Sequence, residues 1–197
     1  MDEESAKPLP DLLIRTTGKG KSVFASRDFP IGEFIIEFRG KLYNREEYLK
    51  KVNPKNNHFL QIDTNLYLGP TRTADNYINH CCDPNAGMVI RNGKAMLFAI
   101  RPIARGEEIT FDYSTSMDED YWEMDCNCES IHCRKRVRDF KYLPESTREH
   151  YINLGIVPQF VINSVPEQRT SEPFIIEINH NIAYATPAAM AAPHKTQ

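Results

Sequence analysis

The run Tyr77-Ile78-Asn79-His80-Cys81-Cys82-Asp83-Pro84-Asn85 decides how the rest of the chain is read. Asn79 and His80 follow an apolar Ile78, a setting in which polar side chains enter buried contacts. Cys82 offers a soft ligand for a metal ion. Asp83-Pro84-Asn85 is a turn signal that ends regular structure and redirects the backbone. Alone, the run also fits a surface turn with incidental cysteines, so its meaning rests on its surroundings.

Working outward, residues 88–100 (MVIRNGKAMLFAI) place two apolar strands around Asn92-Gly93, the pair that a type I′ hairpin requires. Residues 108–113 (EITFDY) read as a strand with Ile109, Phe111 and Tyr113 on one face, all three suited to a core. An acidic segment, Asp118 to Asp125, follows around the lone Trp122. It predicts a solvated loop or a groove wall that favours basic peptides. A basic run from Arg134 to Lys141 reads as a solvated face. Residues 144–154 predict a helix with Pro144 near N1 and Gly155 at C′. Residues 156–162 predict a last strand.

Upstream, residues 12–14 and 23–25 read as short strands joined at Gly18-Lys19-Gly20. The two glycines fit a hairpin turn and would also let a ligand approach the backbone. Phe34, Ile36 and Phe38 alternate with Glu33, Ile35 and Glu37, which predicts a strand. Residues 44–52 predict a helix capped by Asn44 with Glu47 completing a capping box, ended by Asn53-Pro54. His58–Asp63 and Leu66–Leu68 read as strands about an Asp-Thr-Asn turn. Many short strands and few helices predict a β-rich domain of several small sheets.

The 197 residues, 41% of them hydrophobic, suffice for one cored domain with tails. Residues 1–11 read as a flexible leader and 163–197 as a flexible, Pro-punctuated tail; residues 174–178 (FIIEI) fit no assignment. A net charge of −3 lacks the basic footprint of a nucleic-acid binder, so no direct nucleic-acid contact is expected. The polar, acidic N-terminus has no signal-peptide core, and no apolar run reaches the length needed to span a bilayer. The expectation is a soluble intracellular chain with no membrane partner.

Five cysteines, an odd number, argue against a closed disulfide framework. Cys126, Cys128 and Cys133 put three thiolates within eight residues, and structural zinc takes four ligands in a tetrahedron. His132 neighbours Cys133, but adjacent residues rarely point at one ion. Cys82, reached through the fold, is the stronger fourth candidate; it leaves Cys81 free and accounts for the odd count. Four thiolates leave no open position for water, so the ion is structural. Metal binding of this kind contributes roughly 10 kcal/mol or more, so residues 124–135 are expected to order only around zinc.

The order GKGKSVFA (18–25), NYINHCCDPN (76–85), EEITFDY (107–113) and CNCESIHC (126–133) resembles a SET-domain protein-lysine methyltransferase with a post-SET zinc segment. The resemblance runs from about residue 12 to 137. It implies a mainly β fold with short helices, a β-clip-like set of small antiparallel sheets with a pseudoknot between the Asn79-His80 and Phe111-Asp112-Tyr113 segments. It divides the chain into a SET domain (12–116), a post-SET segment (117–137) and a C-terminal helix and strand (138–162). It implies S-adenosyl-L-methionine and zinc as cofactors. Gly18, Lys19 and Gly20 correspond to the first cofactor-binding turn, Asn79 and His80 to the pair holding the cofactor's amino-acid part and adenine, and Met124 and Asn127 to residues covering the adenine. Tyr113 corresponds to the catalytic tyrosine and Phe111 to the position that governs methyl number. Cys82, Cys126, Cys128 and Cys133 correspond to the zinc ligands. The sequence departs from the pattern at Ser22, Phe38, Phe59, Asn76, Tyr77 and Cys81. The implied substrate is a lysine-containing protein or peptide, with histone as the family's habit, in chromatin or a bacterial cytoplasm. A non-catalytic SET-like module that binds basic peptides is the alternative.

Overall fold

The computed structural model describes residues 11–53, 55 and 57–165. The expected leader up to residue 10, the helix-ending Pro54, and the tail and the FIIEI stretch from residue 166 onward lie outside the described residues. Short strands dominate because turn-forming residues interrupt every apolar run. β1 (Leu12–Thr17) and β2 (Gly20–Ala25) form a hairpin whose register closes at Thr17 opposite Gly20. Gly20 has φ +98°, a conformation that a side chain resists. β3 (Phe34–Phe38) and β4 (Leu42–Asn44) lead into α1 (Arg45–Lys51). Asn44 accepts the N–H of Glu47, whose carboxylate accepts that of Asn44, so the expected capping box is present. β5 (Leu60–Asp63) and β6 (Leu66–Leu68) follow, then a 3-10 turn at Ala74–Tyr77.

β7 (Asn79–His80) precedes the long hairpin of β8 (Ala86–Arg91) and β9 (Lys94–Ala99). Asn92 and Gly93 both have positive φ, 50° and 72°, as the type I′ turn needs. β10 (Thr110–Phe111) ends in a 3-10 turn, Tyr113–Ser116. β11 (Met124–Asp125), β12 (Arg136–Val137), a 3-10 turn (Phe140–Tyr142), α2 (Glu145–Asn153) and α3 (Gln159–Ile162) complete the described chain.

These strands make five small sheets: β1-β2, β3-β9-β8, β4-β6-β5, β11-β12, and β7 beside β10. The last pair is parallel, with Asn79 opposite Thr110 and His80 opposite Phe111, so the two segments expected to meet in a pseudoknot are hydrogen-bonded side by side. The chain thus has the small-sheet architecture that its motifs imply.

Three expectations are corrected. The alternation in β3 breaks because a register shift between Phe34 and Ile36 turns Ile35 and Ile36 both inward. The EITFDY strand shrinks to two residues, since the Asp112 carboxylate accepts the N–H of Ser114 and starts a turn. The strand expected at 156–162 is helical in α3, where Val161 and Ile162 donate to the carbonyl of Pro158. Pro144 and Gly155 fall where the helix signals put them, as the N-cap of α2 and the residue after its C-cap, Gly155 with φ +68°.

The main core lies between the β3-β9-β8 sheet and β2, around Val23, Met88, Leu97 and Ile109. A second cluster joins α2 and α3 through Phe140, Tyr151, Ile156, Val161 and Val165. The second packs on the first at Gly87, where an added Cβ would lie 2.3 Å from Cγ2 of Ile156 and 2.7 Å from its Cβ. Gly87→Ala is therefore expected to cost about 1–3 kcal/mol by overpacking, read as a lower urea midpoint at unchanged m.

Candidate active site and metal centre

The parallel pair β7-β10 sets the site. Tyr113 follows it and is half-buried, with its ring against Phe111 (centroids 4.9 Å apart) and His80 (5.3 Å). Its hydroxyl donates to the carbonyl of Ile78 at 2.8 Å. The phenol's one proton is thereby committed, and its oxygen turns only lone pairs toward other groups. Burial, then the nearby Glu108, holds its pKa well above the usual phenol range, which rules out a phenolate near neutral pH. Tyr113, Phe111 and Ile78 line one cleft, shared with Phe38, Tyr67 and Glu119.

His80 is buried and both its ring nitrogens are engaged. Nδ1 accepts the N–H of Tyr113 at 3.2 Å, so Nε2 carries the proton and donates it to Cys82 Sγ at 3.2 Å. Burial pushes the imidazole down to about 4, with Asp112 opposing and Arg134 assisting. Its 3.5 Å approach to the Asp112 carboxylate is consequently a contact with a neutral ring, not an ion pair. Asn79 donates its amide to Ser22 Oγ (2.8 Å), Glu108 Oε1 (2.9 Å) and the Lys21 carbonyl (3.3 Å), which fixes the orientation of the amide. The Gly18-Lys19-Gly20 turn comes near the cysteine segment, with Lys19 Nζ 3.5 Å from Glu129 Oε2. Met124 is half-buried beside that segment and Asn127 is exposed.

The fold brings Cys82 to Cys126, Cys128 and Cys133, with all four sulfurs within 4.8 Å of one another. Cys82 and Cys126 lie 3.7 Å apart. A tetrahedron with metal–sulfur bonds of about 2.3 Å has edges of about 3.8 Å, so the set fits a zinc ion. Burial pushes the Cys82 thiol up to about 11 and that of Cys126 further, while hydrogen bonds outweigh burial at Cys128 and bring it down to about 6; a cation at the centre would favour the thiolate form of all four. The backbone N–H of Arg134 lies 3.4 Å from Cys82 Sγ and supports it beside His80. Cys81 is a free, half-buried thiol outside this set.

Sequence reasoning missed the carboxylate that ties these parts together. Asp112 is fully buried and takes Arg134 Nη2 at 2.7 Å and the Tyr151 hydroxyl at 3.1 Å. Its position between Phe111 and Tyr113 was the available signal. The basic run is largely exposed, as a solvated face would be, and several of its charges pair with the acidic segment, which is therefore not a uniformly charged groove wall. Lys141 pairs with Asp120, and Arg136 with Glu123 and Asp125; Arg138 reaches Glu123 at 3.4 Å. Glu119 differs: it is 7% exposed, Oε1 accepts from the Tyr48 hydroxyl at 3.1 Å, and Oε2 lies near the Tyr67 hydroxyl without a well-formed hydrogen bond among the described residues. Burial, countered by the Tyr48 bond and aided by Asp139, pushes its carboxyl up to about 7.

With this geometry in place, the chain can be set beside known proteins. Residues 20–114 match the SET domain family. The chain is 35% identical over 137 residues to the putative histone-lysine N-methyltransferase ASHH4 of Arabidopsis thaliana, covering 64% of this chain and 38% of the relative. It is 31% identical over 135 residues to the histone-lysine N-methyltransferase trithorax of Drosophila melanogaster, covering 62% of this chain and 4% of the relative. Among solved structures, KRYPTONITE in complex with mCHG DNA and SAH superposes with a TM-score of 0.52 at 25% identity, over 64% of this chain and 29% of that one. Residues 20–114 of the molecule thus match a SET domain. The chain spans well under half the length of these relatives.

Purified protein is expected to carry about one zinc ion per chain by atomic emission. Cys82→Ser should at least halve that content, and chelation should make residues 124–135 the first site of proteolysis. Glu119 gives a second expectation. Its folded pKa, about 7, lies above the ordinary 4.5, so its favourable contribution is complete below 4.5 and is lost as pH rises through 7. Glu119→Gln should therefore melt higher than wild type near pH 8, and that advantage should vanish by about pH 5.

Proposed function

We propose that this chain is a protein-lysine N-methyltransferase that moves a methyl group from S-adenosyl-L-methionine to the side-chain amine of a lysine in histone or another basic protein. The observation that carries this reading is Tyr113, whose hydroxyl is pinned to Ile78 at the floor of an aromatic cleft, while the next residue, Asn79, holds an oriented amide beside the Gly18-Lys19-Gly20 turn. Two binding sides separated by one strand suit a reaction between two bound molecules.

The donor supplies a methyl group activated on a sulfonium. On its side, Asn79 Oδ1 is placed to accept from an amino-acid ammonium, and Gly18 and Gly20 leave the turn open, since an added Cβ there would meet nothing within 4 Å. The His80 ring is engaged within the protein, so only its main chain serves a cofactor. Met124 and Asn127 complete this side as the adenine cover. Four thiolates around zinc hold that cover in place.

On the substrate side, a lysine amine must be neutral to attack. Its free pKa of about 10.4 makes deprotonation at pH 7 cost roughly 4–5 kcal/mol. Where the uncharged rings of Phe38, Phe111 and Tyr113 line the cleft, an amine loses hydration, and the nearby sulfonium charge further disfavours the ammonium. Tyr113 presents an acceptor oxygen, not a strong base, and orients the amine and the polarised methyl. Alignment of two bound reactants removes roughly 7–11 kcal/mol of barrier. Phe111 lacks a hydroxyl and leaves room for more than one methyl.

The relatives' names favour a nuclear, histone substrate over a bacterial cytoplasmic one. Among the described residues no helix is long and apolar enough to cross a membrane. The pairing of the basic run favours peptide over direct nucleic-acid contact, despite the DNA in the KRYPTONITE complex. With labelled donor and histone peptides, Tyr113→Phe is expected to lower turnover about 100-fold, the scale of one lost transition-state contact, with zinc content unchanged. Equal turnover would remove Tyr113 from the chemistry. No turnover by wild type would leave a peptide-binding module.

A further inference from the structure

We propose that Glu119, framed by the Tyr48 and Tyr67 rings, is the receptor for a second cationic side chain of the substrate, one that flanks the lysine to be methylated. This rests on the lysine-methyltransferase reading and adds to it a sequence requirement. Glu119 lines the same cleft as Phe111 and Tyr113, so a side chain beside the target lysine can reach it. In an extended peptide, side chains on one face recur every second residue, about 7 Å apart, which suits two neighbouring subsites in one cleft.

Among the described residues no cation touches the carboxylate, and Arg45 acts on it only through space. Its Oε1 takes the Tyr48 hydroxyl; Oε2 and the buried Tyr67 hydroxyl lie close to each other but make no well-formed hydrogen bond among the described residues. Asp120, Glu123 and Asp125 each have a lysine or arginine from the following basic run. Glu119 forms no ion pair among the described residues. Arg45, on α1, turns its Nη2 to the main-chain carbonyl of Glu119 at 3.0 Å. Asp139 accepts the N–H groups of Glu119 and Asp120 and adds further negative charge behind the site. Around the carboxylate, Tyr48 stacks on Tyr67 with centroids 4.1 Å apart, and Phe59 stands edge-on to Tyr48 at 5.2 Å. Aromatic faces with a desolvated carboxylate attract ammonium and guanidinium groups. A purely structural role for the residue would be met as well by glutamine, which keeps an acceptor for Tyr48 and buries no charge.

The test uses fifteen-residue peptides with one central lysine and a single arginine scanned from three residues before it to three after, each against citrulline, arginine's neutral isostere. Binding to the zinc-loaded protein is followed by calorimetry. At one position arginine is expected to bind about ten-fold tighter than citrulline, and Glu119→Gln is expected to reduce that ratio below about two-fold while the citrulline peptide binds unchanged. The 13C resonance of the wild-type Glu119 carboxyl provides a reading that needs no variant to fold; it should move with the arginine peptide and stay with the citrulline one. A wild type indifferent to arginine at every position, discrimination that survives Glu119→Gln, or an unmoved carboxyl resonance each overturns the proposal. Methyl transfer in the same mixtures is scored separately. Discrimination without turnover keeps the Glu119 site and removes the catalytic reading, and turnover without discrimination does the reverse.

Discussion

The buried ion pair between Asp112 and Arg134 holds the molecule's parts in one arrangement. Asp112 belongs to the turn after β10, Arg134 directly follows the last thiolate of the cysteine cluster, and Tyr151 of α2 completes the group. Arg134 also reaches the Cys82 carbonyl with Nη1 at 3.4 Å. Taking either charge away leaves the other uncompensated in the interior, a loss of about 3–5 kcal/mol in such settings. The same carboxylate accepts the N–H of Ser114 and so begins the turn that carries Tyr113. The residue proposed for chemistry and the segment proposed to cover the donor are therefore referenced to one buried oxygen pair.

The metal centre and the cleft communicate through His80. Its neutral ring receives the Tyr113 N–H on one nitrogen and supports the Cys82 sulfur with the other. A displaced thiolate would shift the imidazole, and with it the backbone from which the Tyr113 phenol projects. An ion held by these sulfurs would fix distances, a structural task with consequences for the geometry of the proposed transfer.

Much of this was legible in the sequence where the determining forces are local. The Asn92-Gly93 hairpin, the Asn44–Glu47 capping box and the three clustered cysteines each carry their own geometry in a few residues. Ligand counting called for a fourth group beside the three clustered cysteines, and the SET-domain resemblance pointed to Cys82, whose sulfur the fold does bring to them. The failures fall where distant residues decide. The double inward turn of Ile35 and Ile36 comes from a register shift against β9. The helical state of 159–162 comes from packing against Phe140 and Tyr151, since a short apolar run carries no period of its own. The pairing of the two opposite charge runs joins residues well separated in the chain and leaves no local mark. Glu119 was indistinguishable in sequence from its acidic neighbours; only its place opposite Tyr48 and Tyr67 separates it from them.

The thiolate set is assembled from two places 44 residues apart, with Cys82 made first and its three partners last. A ribosome therefore exposes β7 and its cysteine while β10, Asp112 and the other thiols are still untranslated. Over that interval the emerging domain has neither its parallel strand pair nor an ion to close it, and its edges are open to chaperones or to stray neighbours. Completion is a single late event, in which one short stretch of nascent chain delivers three sulfurs and an arginine together.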